Sequence, residues 1–94
     1  MFEVRLVSVG LARLAGRLDA AEAEKARKTL DALSGPLVLD CSELDYVSSA
    51  GIGLLVETYK RLHLAGQTLR LVNLLPRVRN VFAYAGLDRV LTLE

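Results

Sequence analysis

The succession of apolar runs and helical stripes along this chain predicts an α/β domain. The expected architecture is a mixed, mostly parallel sheet of four to five strands with three main helices, spanning residues 1–94 as one domain. Three observations predict it. The chain opens on two alternating apolar segments. Short apolar runs then alternate with segments of helical period. Glycine or proline punctuates most of the changes.

Phe2, Val4 and Leu6 alternate with Glu3 and Arg5, as in a strand with one covered face. Ser8-Val9-Gly10 reads as a turn, and Leu11 to Leu14 resumes apolar character, so the first two strands form a hairpin. Gly16-Arg17-Leu18-Asp19 ends the second strand. Asp19 and Glu22 have the spacing of a capping box, with Asp in place of the usual Ser or Thr. Ala23, Ala26, Leu30 and Leu33 continue as a helical stripe over 20–33. Glu24 and Lys28 sit four apart on its wet side. Ser34-Gly35-Pro36 stops the helix.

Leu37-Val38-Leu39 is continuously apolar, the pattern of a central strand covered on both faces. Ser42 to Asp45 reads as a connector. Ile52, Leu55, Val56, Tyr59 and Leu62 share one face of a helix over 50–64, which ends at Ala65-Gly66. Leu69 to Val72 is the next strand. Pro76 suits a first helical turn. Val78, Val81, Phe82 and Ala85 make the stripe of a helix over 76–85, with Gly86 as its C′ residue. Val90 to Leu93 is a last short strand. The order ββαβαβαβ implies parallel neighbours joined by right-handed crossovers.

Composition excludes several roles. The net charge is +1, with no basic run and few aromatics, which argues against a nucleic-acid partner. One cysteine rules out an internal disulfide, and a single histidine rules out a multi-histidine zinc site. No run approaches the ~20 apolar residues of a membrane span, so direct membrane insertion is not expected. The N-terminus alternates like a strand and lacks the apolar core of a signal peptide, so a cytoplasmic location is expected. Cys41 follows a core strand and reads as an inert thiol. His63 lies near the buried edge of its helical stripe. No nucleophile–base pair, metal cluster or phosphate loop is visible, so neither enzymatic activity nor a cofactor is expected.

The most informative segment is Ser48-Ser49-Ala50-Gly51-Ile52-Gly53, at a strand-to-helix turn. It sets hydroxyls at the positive end of a helix, where free N–H groups favour negative charge. A serine there can equally be a plain cap. Gly53 falls in the first turns of the helix, where glycine costs ~1 kcal/mol against Ala. A tight partner contact or internal packing would each offset that. Gly53, Leu54, Glu57, Lys60, Arg61 and Leu64 point away from the apolar stripe. Two leucines on such a face suggest docking.

These residues resemble the STAS domain, most closely the bacterial anti-sigma-factor antagonists. The likeness covers nearly the whole chain. It runs through Gly16-x-Leu18-Asp19, Leu39-Asp40, Tyr46 to Gly53, Gly66…Leu69-x-Leu71, and Pro76-x-Val78…Phe82…Gly86-Leu87. The resemblance implies that Ser49 is a phosphoacceptor, modified by a serine kinase that is also the anti-sigma factor. Asp19, Ser48, Ala50 and Gly51 flank it; Ser48 stands where the family usually has an acid. Gly53, Leu54, Glu57 and Arg61 are the expected partner-binding residues. The unphosphorylated form would sequester the kinase and so free a sigma factor. Phosphorylation would release it, and a serine phosphatase would reset it. ATP and magnesium belong to the kinase. The alternative is a constitutive STAS subunit of an ABC lipid-transport complex, or a signalling scaffold. Many family members continue into a final helix after the position of Glu94, so an open sheet edge or face is expected here.

Overall fold

The computed structural model describes every residue from Met1 to Glu94. Five strands form one sheet in the order β1-β2-β3-β4-β5. They are β1 (Phe2–Ser8), β2 (Leu11–Leu18), β3 (Leu37–Val47), β4 (Leu69–Val72) and β5 (Thr92–Leu93). β1 and β2 are antiparallel, and every later pair is parallel. The helices α1 (Ala20–Asp31), α2 (Ser49–Leu64) and α3 (Pro76–Tyr84) fill the three crossovers. A short 3-10 turn, Leu87–Arg89, precedes β5. No helix is long and apolar enough to cross a membrane.

Adjacent parallel strands joined by right-handed crossovers place their helices on one face of the sheet. Burial follows that rule. Ala12, Leu14 and Leu18 of β2, Leu37, Leu39, Cys41, Leu44 and Val47 of β3, and Leu69 and Leu71 of β4 are all buried. They join Ala26, Leu30, Leu54, Leu55, Leu62, Val78 and Phe82 from the helices in one core cluster. The alternate strand residues are exposed or half-buried.

Two features of β3 differ from what the sequence pattern predicts. The central strand is covered on one face, not two: Val38 is only half-buried, and Asp40 faces outward with it. An apolar triplet does not distinguish one covered face from two, because Val38 also fits a half-exposed sheet position. Second, residues 42–45 are strand and not connector. β3 runs eleven residues, and its polar positions Ser42, Glu43 and Asp45 are exposed. Register shifts against β2 at Arg13/Ala15 and at Gly16/Arg17 absorb the extra residues. Such bulges break strict alternation and so hide a strand from a period-two search. Smaller differences lie at the ends. α1 stops at Asp31, and β5 starts at Thr92 with Val90 outside it.

The open face carries a polar cluster over the central strands. Arg13 Nε donates to Asp40 Oδ2 at 3.1 Å and lies 3.6 Å from Glu43. The Ser42 N–H and Asn73 Nδ2 donate to Asp40 Oδ1 at 3.0 and 3.2 Å. The Arg17 guanidinium sits 4.2 Å from the centre of the Tyr46 ring.

Burial pushes the Asp40 carboxyl up, but hydrogen bonds from Ser42, Asn73 and Arg13 outweigh it. They bring it from its ordinary 3.8 down to about 2. A carboxyl depressed by folding stabilises the fold above its unfolded pKa and loses that effect as pH falls through the folded one. Asp40→Asn should therefore lower stability at neutral pH by on the order of 1 kcal/mol. In urea titrations the gap from wild type should close between about pH 4 and about pH 2. A gap that persists unchanged at pH 2 would assign the effect to packing instead.

Candidate functional site

β2 and β3 run parallel and end in register, with Leu18 paired to Val47. One residue later each strand hands over to a helix. Asp19 caps α1, its Oδ1 accepting from the Glu22 N–H at 3.2 Å. Ser48 caps α2 from an extended backbone (φ −90, ψ 174), its hydroxyl accepting from the Gly51 N–H at 3.2 Å. Two helix N-termini thus stand side by side at the carboxyl end of the sheet, where α/β proteins commonly bind ligands and partners.

The Ser48 N–H donates to the Leu18 carbonyl at 2.9 Å, and the Ile52 N–H donates to the Ser48 carbonyl at 2.8 Å. Those bonds and the Gly51 cap leave the N–H groups of Ser49 and Ala50 outside the helix ladder. Ser49 is the first residue of α2, and its side chain is exposed. Ser48 is half-buried and its hydroxyl is already engaged as the cap. The two serines therefore differ: one closes the helix, and the other presents a free hydroxyl beside two free N–H groups. The first turn of α2 contains no acid. The Asp19 carboxylate is engaged with its own helix. Ala50 is exposed next to Ser49.

The two glycines also differ. Gly51 is buried, and a Cβ there would lie 2.6 Å from the Leu18 carbonyl oxygen and 2.9 Å from Val47 Cγ2. Gly53 is exposed, and a Cβ there would meet nothing within 4 Å. Internal packing accounts for Gly51 and does not account for Gly53.

α2 buries a different face from the one the apolar pattern predicts. Leu54 is not on the outer face; it is 1% exposed and sits in the core. The buried set is Gly51, Leu54, Leu55, Thr58 and Leu62. At 100° per residue this stripe is turned by roughly a quarter of the circumference from the one the apolar pattern predicts. Thr58 is the reason. Its hydroxyl donates to the Leu54 carbonyl at 3.0 Å, so the polar group is satisfied and the residue can lie at the centre of the buried stripe. Ile52, Val56 and Tyr59, which the pattern buries, are only half-covered. His63 is exposed and stacks on Tyr59 with ring centres 5.5 Å apart.

Glu57 and Arg61 border α1. Glu57 pairs with Arg27. Arg61 donates to the Leu30 carbonyl at the end of α1 at 2.9 Å, and its Nε lies 3.9 Å from Asp31. The outward stripe of α2 is therefore Ser49, Gly53, Val56 and Lys60, with Ile52 at its margin. The sequence signal for it was available: Ser49 and Gly53 are four apart, and Val56 and Lys60 continue the same face.

No group of three or more His, Cys, Asp or Glu side chains comes together to hold a metal ion. Burial, and then the charge of Asp40, push the Cys41 thiol up to about 12, so it is not a nucleophile at neutral pH.

Comparison with known proteins identifies the family and the fold. The family model described as "Mlab, STAS domain" matches residues 5–93. A relative from Bordetella bronchiseptica, named "Putative anti-sigma factor antagonist BtrV", is 36% identical over 80 residues, covering 81% of this chain and 69% of the relative. Among solved structures, an anti-sigma factor antagonist from Mycobacterium paratuberculosis superposes with a TM-score of 0.79. It shares 23% identity and covers 99% of this chain and 83% of its own. The Bacillus cell fate determinant SpoIIAA in its phosphorylated form gives a TM-score of 0.71 at 20% identity, over 100% of this chain and 91% of its own.

Two pairs of variants test the geometry. Gly51→Ala should lower the urea midpoint by an amount equal to about 1–3 kcal/mol, because the backbone oxygen of Leu18 cannot retreat. Gly53→Ala should raise it, by up to ~1 kcal/mol, as a helix-interior glycine in open space. Leu54→Ala should cost about 3 kcal/mol as a core truncation. Val56→Ala, on the margin of the core, should cost clearly less. Equal losses at Leu54 and Val56 would contradict the orientation of α2.

Proposed function

The chain belongs to the STAS domain family, and we propose that it acts as an anti-sigma-factor antagonist switched by phosphorylation of Ser49. The observation that carries this reading is the free Ser49 hydroxyl at the open end of α2. A kinase can reach it, since Ser48 already supplies the cap. A phosphate there would add nearly two negative charges beside the uncommitted N–H groups of Ser49 and Ala50. The modified helix end is locally favourable, so the fold need not change. What changes is the surface: a neutral helix end becomes strongly anionic.

The stripe of Ser49, Gly53, Val56 and Lys60 is the docking face in this reading. Gly53 supports it, because a bare backbone in open space lets another chain approach closely. Half-covered Ile52 and Val56 supply apolar area on the same surface. Glu57 lies at the α1 border of the face. Arg61 takes a positioning role by tying α2 to the end of α1. Leu54 holds the helix from beneath. The partner is a serine kinase that doubles as the anti-sigma factor, and a serine phosphatase restores the unmodified state. Catalysis belongs to those partners. The protein contributes a shaped and switchable surface, and it works in the cytoplasm where they are found.

A second reading keeps the same docking face without a phosphate. It makes the protein a constitutive STAS subunit of an ABC lipid-transport complex or a signalling scaffold. Ser48 in place of the usual acid favours it, because no carboxylate in the first turn of α2 orients the Ser49 hydroxyl.

One experiment separates the two. Incubation with the cognate anti-sigma kinase and Mg-ATP should place phosphate on Ser49, read by phosphopeptide mass spectrometry. Ser49→Ala should abolish the modification and retain binding. Ser48→Ala should still be modified, with a stability loss of ~1 kcal/mol from the lost cap. Ser49→Asp should weaken binding in part, since a carboxylate carries less charge than a phosphate. Gly53→Lys should weaken kinase binding by at least about tenfold, equal to 1.4 kcal/mol, without lowering the melting temperature. Phosphate on Ser48 would reject Ser49 as the acceptor and move the site by one residue; phosphate on neither serine would reject the switch in favour of the constitutive subunit.

A further inference from the structure

The long edge of the sheet is self-complementary, and we propose that it pairs with the same edge of a second copy of this chain. The two β1 strands would run antiparallel about a two-fold axis through Val4, an isologous contact. β1 pairs only with β2, so its outer side carries unpaired backbone groups. The ladder identifies them. Arg17 N–H donates to the Met1 carbonyl at 2.9 Å, which makes Met1 and Arg17 a hydrogen-bonded pair. Antiparallel pairs alternate, so Glu3–Ala15 and Arg5–Arg13 are bonded in the same way. The N–H and C=O groups of Phe2, Val4 and Leu6 therefore point out from the edge.

Centred on Val4, the pairing sets Phe2 opposite Leu6, Glu3 opposite Arg5 and Met1 opposite Val7 of the second copy. The outward-pointing residues then meet each other: Val4 meets Val4, and Phe2 meets Leu6, as hydrogen-bonded pairs. Glu3 and Arg5 fall at the intervening positions, where facing side chains stand closest. In the single copy Arg5 donates to Glu3 along the strand at 2.5 Å; pairing gives each a partner across the interface as well. The apolar pairs answer a second feature. Met1, Leu6 and Val7 are 92%, 61% and 47% exposed, and all three lie in or beside this strand. A groove lined by Phe2, Glu3, Val4, Lys25, Ala26 and Thr29 runs between β1 and α1, beside Phe2, and receives Leu6 of the second copy.

The edge charges Glu3 and Arg5 have opposite signs and match across the two-fold axis, so they do not guard the edge against its own copy. β1 is seven residues long and contains neither proline nor lysine. Its register shift comes only after Leu6, beyond the pairs that match. α2 packs against α1, β3 and β4, so the dimer leaves the Ser49 face uncovered on both copies.

Sedimentation and light scattering across a concentration series test the pairing. The wild-type mass should rise from 10.3 kDa to twice that value. Glu3→Arg alone and Arg5→Glu alone set like charges opposite each other and should remain monomeric. An equimolar mixture of the two variants should recover the doubled mass, and so should the double variant in one chain. Val4→Pro removes an outward N–H while sparing the β1–β2 hydrogen bonds, and should also be monomeric. Circular dichroism confirms that each variant is folded. A wild type that stays monomeric overturns the proposal. So does a dimer that survives either single charge reversal, or one that the mixture fails to restore.

Discussion

The Leu18 carbonyl is the point on which the site depends. It accepts the Ser48 N–H at 2.9 Å, and the Gly51 backbone packs so closely on it that a Cβ would come within 2.6 Å. The first contact fixes where β3 ends, and the second fixes how near α2 begins to β2. Together they set the N-terminus of α2 beside that of α1. The local geometry follows: the cap at Ser48, the exposure of Ser49, and the direction of the outer stripe of α2. The parallel register of β2 and β3 delivers both strand ends to the same level, so the constraint is shared between backbone pairing and one missing side chain.

The sheet is covered on one face, and this divides the work between the two surfaces. The helical side holds one continuous core of leucine, valine and alanine with Cys41 and Phe82. The open side is kept in water by charge. Arg13, Asp40, Glu43 and Asn73 form a network whose members satisfy each other, and Arg17 covers the Tyr46 ring. Burial of Asp40 alone would raise its pKa; the donors around it reverse the sign. A polar cluster on an open sheet face is stable only when its acceptors are satisfied in this way.

The start of α2 gives unlike roles to like residues. One serine does the structural work and its neighbour is left free. One glycine is required by packing and another has no internal reason to be there. In each pair the adjacent chemistry is the same, and the tertiary environment alone separates the roles. A change of about two charges at the end of a helix alters what can dock there, while the core beneath it is unaffected.

By itself the sequence determined the element order, the parallel sheet and the strand-to-helix turn at Ser48 and Ser49. These follow from local rules: apolar period, caps such as Asp19 with Glu22, and breakers such as Gly35-Pro36. It also determined that two serines and two glycines crowd one helix start. Tertiary structure decided the rest. The long bulged β3 was hidden because its register shifts break alternation. Val38 is half-buried although apolar, because an apolar residue does not say how many layers surround it. The face of α2 escapes the apolar pattern because Thr58 satisfies its hydroxyl within the helix and so hides in the core, turning Leu54 inward. Pattern alone treats polarity as exposure. Only packing reveals where a polar group has found its partner at home.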